Sequence, residues 1–286
     1  DNYCTFCIIP FARGKLKSRR QSDAVEEIRR LVEKGYREVV LTGIHLGNYG
    51  KDLHDGTSLS TLVTELVRIP DLLRIRLGSI ESVELSDELI RIIREEPKVC
   101  PHLHLPIQAG SDDILKRMNR HGDRETLTAL IKKIREKIPN VTLRTTLITG
   151  FPGETKEQFE ELCEFVKEIR FERLGCFAYS PEEGTPAEKF EDQVPLKDRE
   201  RRAEIIMEEQ MIISDSLNEA ALDSEVEVVC EGFDRYAECY YGRSQADAPE
   251  IDGKIFFLSE DKVRVGEYVK VKIDDTMDYD LIGSKM

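Results

Sequence analysis

Asp1-Asn2-Tyr3-Cys4-Thr5-Phe6-Cys7-Ile8-Ile9-Pro10 opens the chain and sets the terms for reading the rest. Two thiols stand three positions apart, with an aromatic between them on a tight loop. In a reduced compartment such a C-x-x-C pair holds zinc, an iron–sulfur cluster or a redox disulfide, and the pair alone does not choose among them. A second C-x-x-C normally completes a zinc knuckle. The other cysteines, Cys100, Cys163, Cys176, Cys230 and Cys239, are scattered singly and read as small core residues.

Outward from that loop, the chain alternates. Ser22 to Lys34 reads as a helix, with Ser22 or Asp23 as cap and Gly35 as stop, and Glu38-Val39-Val40-Leu41 reads as a strand. Helices at about 58–68, 84–96, 123–138 and 155–169 are each followed by a β-rich run, at 72–78, 102–107, 141–149 and 173–179. Strand–helix alternation with one hand of crossover gives a parallel sheet covered by helices. Five strands, with one more expected just upstream of Asp1, suit an open six-unit (βα)6 partial barrel better than a closed eight-fold barrel, which needs about 250 residues.

With 286 residues and 40% hydrophobic content, the chain can bury a full core and a smaller second one. The expected division is 1–190 for the α/β part, 191–223 for a charged helical linker and 224–286 for a small all-β barrel with turns such as Glu231-Gly232 and Asp252-Gly253. No run approaches eighteen apolar residues, no charged-then-apolar leader is evident, and seven cysteines lack paired spacing. The expectation is a cytoplasmic protein without membrane contact.

In parallel α/β sheets, ligands sit at the carboxyl ends of strands, so the residues after each strand are the candidate site. After 38–41 comes Thr42-Gly43-Ile44-His45-Leu46-Gly47-Asn48-Tyr49-Gly50, whose three glycines permit close backbone approach, or simply make a mobile loop. After 102–107 comes Pro106-Ile107-Gln108-Ala109-Gly110-Ser111-Asp112, where the Gln108 amide faces a ligand or is a satisfied loop residue. After 141–149 comes Thr149-Gly150-Phe151-Pro152-Gly153-Glu154-Thr155, opening a helix whose first-turn amides are free donors. Gly150, Phe151 and Gly153 would allow approach, and Arg144 and Thr146 point toward the pocket if alternation holds. Glu154 reads as a carboxylate that only favours the helix dipole. His102 and His104 alternate on one strand and are taken as structural.

Charge is uneven. The net charge is −14, which disfavours indiscriminate polyanion binding. Arg13, Lys15, Lys17, Arg19 and Arg20 form a basic run beside the cysteine loop, which steers an anionic partner or is a solvated loop. Residues 224–286 carry fifteen acidic and eight basic side chains, half of the net charge in less than a quarter of the chain. Tyr236, Tyr240 and Tyr241 are present, but the sign of charge suits a basic protein partner better than RNA.

Cys4-Thr-Phe-Cys-Ile-Ile-Pro-Phe-Ala-Arg-Gly-Lys15 resembles the cluster loop of radical S-adenosylmethionine (SAM) enzymes, read C-x-x-x-C-x-aromatic-C. In that pattern a further cysteine stands just ahead of Asp1. With an alternating barrel and a terminal β-module resembling the TRAM domain, the whole chain is similar to the radical SAM methylthiotransferase family. The resemblance implies a [4Fe–4S] cluster on Cys4, Cys7 and that upstream cysteine. SAM would chelate its open iron and yield a 5′-deoxyadenosyl radical, while a second SAM would supply a methyl group. Phe6 would pack near the adenine, and Gly43, Gln108, Arg144, Gly150, Phe151 and Gly153 would line the cofactor.

The resemblance also implies an electron donor such as flavodoxin or ferredoxin, and a second [4Fe–4S] cluster in an amino-terminal domain that these residues do not include. Residues 1 to about 125, with Leu105-Pro-Ile-Gln-Ala-Gly-Ser111 and the motif ending at Arg120, look like the enzyme acting on threonylcarbamoyl-adenosine at position 37 of tRNA. The stretches Leu143–Thr155, Tyr179–Pro186 and Gly242–Gly253 match the enzyme that thiomethylates an aspartate of a basic small-subunit ribosomal protein, protein twelve. The second match carries more weight, because it includes the recognition module. The remaining alternative is a non-enzymatic zinc-binding interaction module.

Overall fold

A computed structural model describes residues 2–286. The position expected to hold the third cysteine lies outside the described residues. In chain order, the first part contains helices α1 (Ile9–Arg13), α2 (Gln21–Glu33), α3 (Leu59–Leu66), α4 (Asp87–Glu95), α5 (Asp112–Arg117), α6 (Arg124–Lys137) and α7 (Lys156–Ile169). Its strands are β1 (Glu38–Leu41), β2 (Arg74–Leu77), β3 (His102–His104), β4 (Thr142–Thr149) and β5 (Arg173–Ala178). The strands are parallel: β1 pairs with β2, β3 with β4 and β4 with β5, and isolated bridges from Ile75 to Val99 and Ser79 to His104 join the two sets. The result is the open α/β barrel that the alternation implies.

Local chemistry explains the boundaries. Ser58, Asp123 and Thr155 each cap a helix by accepting a hydrogen bond from the third residue of the first turn, and each completes a capping box. α2 begins one residue before the expected cap, with Arg20 in the cap position. The β3 ladder stops at His104 rather than 107, since Pro106 has no N–H to pair and Gln108 turns into the left-handed region at φ 76°. The short helix α1 was not anticipated, whereas α5 starts at Asp112 with Ser111 in the cap position, where the 106–112 stretch offers a helix cap.

Along β4, buried residues alternate with half-buried ones: Thr145, Leu147 and Thr149 face the helices, while Arg144, Thr146 and Ile148 face the lumen. Leu66, Leu72, Ile75, Leu77, Leu103, Phe165 and Phe171, all fully or almost fully buried, form the layer between sheet and helices. Cys163 and Cys176 pack at its margin, whereas Cys100 is buried near Arg74, Arg76 and Glu38; all seven cysteines are free thiols.

Helix α8 (Leu196–Glu219) has 24 residues and so spans about 36 Å. It begins at the carboxyl end of the strands, where Arg199 donates to the Tyr179 carbonyl, and descends to the amino end, where Arg170 meets Ser216. That descent delivers the second unit to the amino-terminal end of the first. There β6 (Glu225–Asp234), β7 (Cys239–Arg243), β8 (Ile255–Leu258), β9 (Tyr268–Met277) and β10 (Asp280–Lys285) close a barrel in the order β10-β8-β7-β6-β9. Val228, Cys230, Ile255, Phe257, Val263, Val269, Val271 and Ile273 fill it.

The loop from Arg243 to Asp252, between β7 and β8, plugs the floor of the larger barrel. Arg74 and Arg76, each 1% exposed, donate from β2 to the backbone carbonyls of Arg243, Ser244 and Gln245. Glu38 receives Arg76 and Arg243, Arg173 pairs with Asp247 at 2.8 Å, and Arg144 pairs with Asp252. Buried arginines are tolerable only when their charge and donors are matched, and here the plug matches them. Part of the small barrel's acidity is therefore spent inside the molecule on scaffold arginines, and is not offered to a partner.

Candidate functional site

The cysteine loop lies at the carboxyl ends of the strands, opposite the plug. Cys7 N–H donates to the Cys4 carbonyl at 3.0 Å, so both half-buried thiols belong to one turn. Thr5 fixes that turn: its N–H donates to Met118 O at 3.0 Å, its hydroxyl to Arg117 O at 2.8 Å, and its carbonyl accepts from Ala187 N–H at 2.9 Å. Beside it, the Arg120 guanidinium reaches Cys4 Sγ at 3.8 Å and pairs with Glu81. Burial pushes the Cys4 thiol up, opposed by the Arg120 charge and hydrogen bond. A bound metal ion would have to remove that proton, since the thiolate is the ligand.

Below the loop an aromatic cluster sits edge to face: Phe6 against Phe151 at 6.5 Å, and Phe151 against Tyr179 at 5.3 Å and Phe190 at 6.2 Å. Phe6 is half-buried at its outer side, whereas Phe151 is wholly enclosed. Phe151 thus packs under the loop and supports it from below. Gly150 and Gly153 flank it in the turn that leads into α7. Both have positive φ, but an added Cβ at Gly150 would strike Arg199 of α8, and one at Gly153 would meet Asp192 and the Arg117 guanidinium. At both positions a larger residue would collide with neighbouring side chains. Arg144 is drawn down to Asp252 and away from the strand ends. Glu154 does more than favour a dipole: it accepts from Gly150 N–H at 2.8 Å and from Arg202 of α8 at 2.6 Å, and burial pushes its carboxyl up.

Gln108 and Gly43 follow the carboxyl ends of β3 and β1. Gln108 holds a left-handed backbone while its N–H and C=O bridge to Thr146 and Ile148, and its side-chain Oε1 is buried without a hydrogen-bond partner. Strain combined with an unpaired buried acceptor marks a position shaped for something other than the fold. Gly43 has room for a Cβ in ordinary contact with Leu46 and lines a cavity of about 750 Å³. That cavity runs along the edge of β1 that no described strand covers, and the exposed Arg13–Arg19 segment forms its rim. Cys4, Cys7 and Gln108 are not among its walls, so it lies beside the thiol loop rather than under it. Gly47 and Gly50 serve packing, against Glu84 and the Thr57 carbonyl.

Sequence reasoning missed the polar group over the strand ends. Glu84 accepts from Asn48 at 2.5 Å and lies 3.6 Å from His45 Nδ1, and burial pushes its carboxyl up. Arg120 with Glu81 completes this layer. The available signal for Arg120 was a cation directly after Asn119, a residue tolerant of left-handed turns.

A half-open parallel α/β barrel bearing a two-thiol loop on the carboxyl ends of its strands, with a small closed β-barrel at its other end, defines an iron–sulfur enzyme class joined to a recognition module. The profile of the Radical SAM superfamily matches residues 1–166, and that of the TRAM domain matches 224–285. The chain belongs to the radical SAM superfamily and carries a TRAM domain.

Among curated relatives, proteins named ribosomal protein uS12 methylthiotransferase RimO are 45% identical in Clostridium novyi, 44% in Geobacter sulfurreducens and 41% in Clostridium botulinum. Each match covers 99% of this chain, and the chain spans 63% of each relative's length. Among solved structures, coproporphyrinogen III oxidase (HemN) from Escherichia coli, described as a radical SAM enzyme, aligns with a TM-score of 0.51 at 16% identity, covering 85% of this chain and 64% of that one. Methylornithine synthase (PylB) aligns with a TM-score of 0.52 at 17% identity, covering 73% and 59%. At those identities the likeness is one of fold.

The groups this superfamily implies, a [4Fe–4S] cluster and SAM, fit what is present. Two free thiols share a turn on the strand ends, Gln108 offers an unpaired acceptor, and a cation lies against the cysteine sulfur. Among the described residues no group of three or more His, Cys, Asp or Glu is arranged to hold a metal ion, and Cys4 and Cys7 would supply two ligands to a cluster.

Proposed function

We propose that this chain forms the catalytic and recognition part of a radical SAM methylthiotransferase that places a methylthio group on an aspartate of ribosomal protein uS12. The observation that carries the reading is 41–45% identity, over 99% of the chain, to relatives bearing that name. Cys4 and Cys7 would hold the cluster, and Phe6 and Gln108 would face SAM. When bound, cluster and SAM supply one-electron chemistry able to activate a C–H bond. The chain's own part is to hold the thiols on a rigid turn, offer the Gln108 acceptor, and close the amino end of the lumen with the 243–252 plug.

The substrate reading draws support from charge. After the internal pairs are discounted, Glu260, Asp274, Asp275 and Asp278 remain exposed on the small barrel, complementary to a basic protein. The exposed run Arg13–Arg20 is the feature that would suit tRNA instead. A cytoplasmic setting, a flavodoxin or ferredoxin as reductant, and a second cluster held outside these residues complete the proposal. No helix among the described residues is long and apolar enough to cross a membrane.

The test is anaerobic reconstitution of the natural full-length protein with iron, sulfide, SAM and reductant, offered uS12 and tRNA in parallel, with products read by mass spectrometry. A methylthio increment on the uS12 aspartate supports the proposal. Product on tRNA alone overturns the substrate, and zinc without sulfide overturns the class. Cys4→Ala and Cys7→Ala should each abolish product and cluster absorbance.

A further inference from the structure

We infer that Arg120 is a positioning residue whose fixed positive charge, balanced by Glu81, sets how readily a cluster held by Cys4 is reduced. This rests on the reading of Cys4 as a cluster ligand. The placement of Arg120 is enforced from several sides. Its guanidinium, with a side chain 7% exposed, contacts Glu81 through both nitrogens, Nη1 to Oε1 at 2.9 Å and Nη2 to Oε2 at 2.7 Å. Nη2 also donates to the Pro106 carbonyl, and Nη1 lies 3.8 Å from Cys4 Sγ.

The residues before it grip the same loop. Asn119, in the left-handed region at φ 56°, donates its amide to Asn2 O at 2.9 Å and to Tyr3 O at 3.1 Å, while Met118 and Arg117 receive Thr5. Four consecutive residues, 117–120, thereby clamp residues 2–5. A buried arginine is costly unless its partners repay desolvation, so a clamp that also delivers a cation to a thiol has a consequence beyond packing.

The consequence is electrostatic. Reduction adds an electron to a cluster already made negative by its thiolates, and a cation or N–H donor at a ligand sulfur stabilises that added charge and raises the potential. Glu81 opposes it from the far side of the guanidinium. The signs are therefore opposite for the two partners: losing the Arg120 charge makes the cluster harder to reduce, and neutralising Glu81 makes it easier.

The experiment is a redox titration of the reconstituted full-length protein, followed by electron paramagnetic resonance, with iron and sulfide content measured alongside. Arg120→Met should load the cluster and lower the ratio of reduced to oxidised cluster at fixed poise about tenfold, which is about 59 mV for a one-electron couple. Arg120→Lys should recover most of that loss, and Glu81→Gln should shift the ratio the other way. Unchanged ratios in loaded Arg120→Met and Glu81→Gln would overturn the inference. Should Arg120→Met not load, Glu81→Gln decides by its sign, and failure of both to load despite a native circular dichroism spectrum would leave only a structural clamp. Absence of a [4Fe–4S] signal from the wild type would instead remove the reading on which this stands.

Discussion

Asp252 of the small barrel pairs with Arg144 on β4 of the large one at 2.5 Å, joining residues 108 positions apart in the chain. The same carboxylate lies 3.5 Å from His102 Nε2 and accepts from Ala248 N–H at 2.8 Å. The two barrels thus share this buried ion pair beside those of Arg173 with Asp247 and Arg243 with Glu38, and the small barrel serves as the floor of the large one.

Removing one partner should expose the cost of that arrangement. Asp252→Ala leaves the Arg144 charge half-enclosed and His102 without its anion, and should destabilise the protein by about 2–4 kcal/mol. Urea denaturation monitored by circular dichroism measures it. Limited proteolysis between α8 and β6 should accelerate in the same variant. A change below about 0.5 kcal/mol would mean the plug contributes nothing to stability.

Acid should loosen the floor before it unfolds the rest. Burial, with the Arg144 charge and His102 adding to it, pushes the His104 imidazole down to about 4. Between pH 6.5 and 4 the unfolded chain therefore binds a proton that the folded chain refuses, and stability falls as pH falls. The slope is at most about 1.4 kcal/mol per pH unit for that one proton. Burial pushes the carboxyls of Asp252 and Glu38 up, but His102, the Ala248 N–H and Arg144 at the first, and Arg243 and Arg76 at the second, outweigh it and hold both low. Their stabilisation is present above the ordinary carboxylate range and is lost below it. Unfolding free energies at pH 7.5, 6 and 5 should decline, and His104→Asn should flatten the decline.

Gly150→Ala should be costly for two reasons, a φ of 66° and a methyl group driven into Arg199. About 1–3 kcal/mol of destabilisation is expected from overpacking and left-handed strain. Since the clash is with α8, thermal unfolding should show it even without cofactor. An unchanged Tm would place Arg199 elsewhere.

Gln108→Met keeps volume and removes the unpaired Oε1, so stability should change by less than about 1 kcal/mol. If that oxygen receives a donor from SAM, binding measured by equilibrium dialysis should weaken by about tenfold or more, the worth of one hydrogen bond to a charged group. Equal affinity in variant and wild type would return Gln108 to the loop.

Much of the first barrel was legible. The helices at 123–138 and 155–169 are found within a residue of their expected ends, because Asp123 and Thr155 are caps that act within one turn of themselves. The lumen-facing alternation of β4 was legible for the same reason. The packing of Gly150 against Arg199 and of Gly153 against Asp192 and Arg117 was not legible, because a glycine-rich turn at a helix start looks the same whatever distant side chain lies above it.

The residues by themselves determined the parallel alternation, the β-rich tail and the two-thiol loop, since each is written in neighbours a few positions apart through periodicity, capping and turn chemistry. Only the tertiary structure decided where the acidic tail sits, that Arg144 is committed to Asp252, and that Arg120 stands against Cys4 across 116 positions. Charges of either sign are plentiful in this chain, and composition cannot say which of them meet; the path of α8 down the barrel and the left-handed turn at Asn119 do.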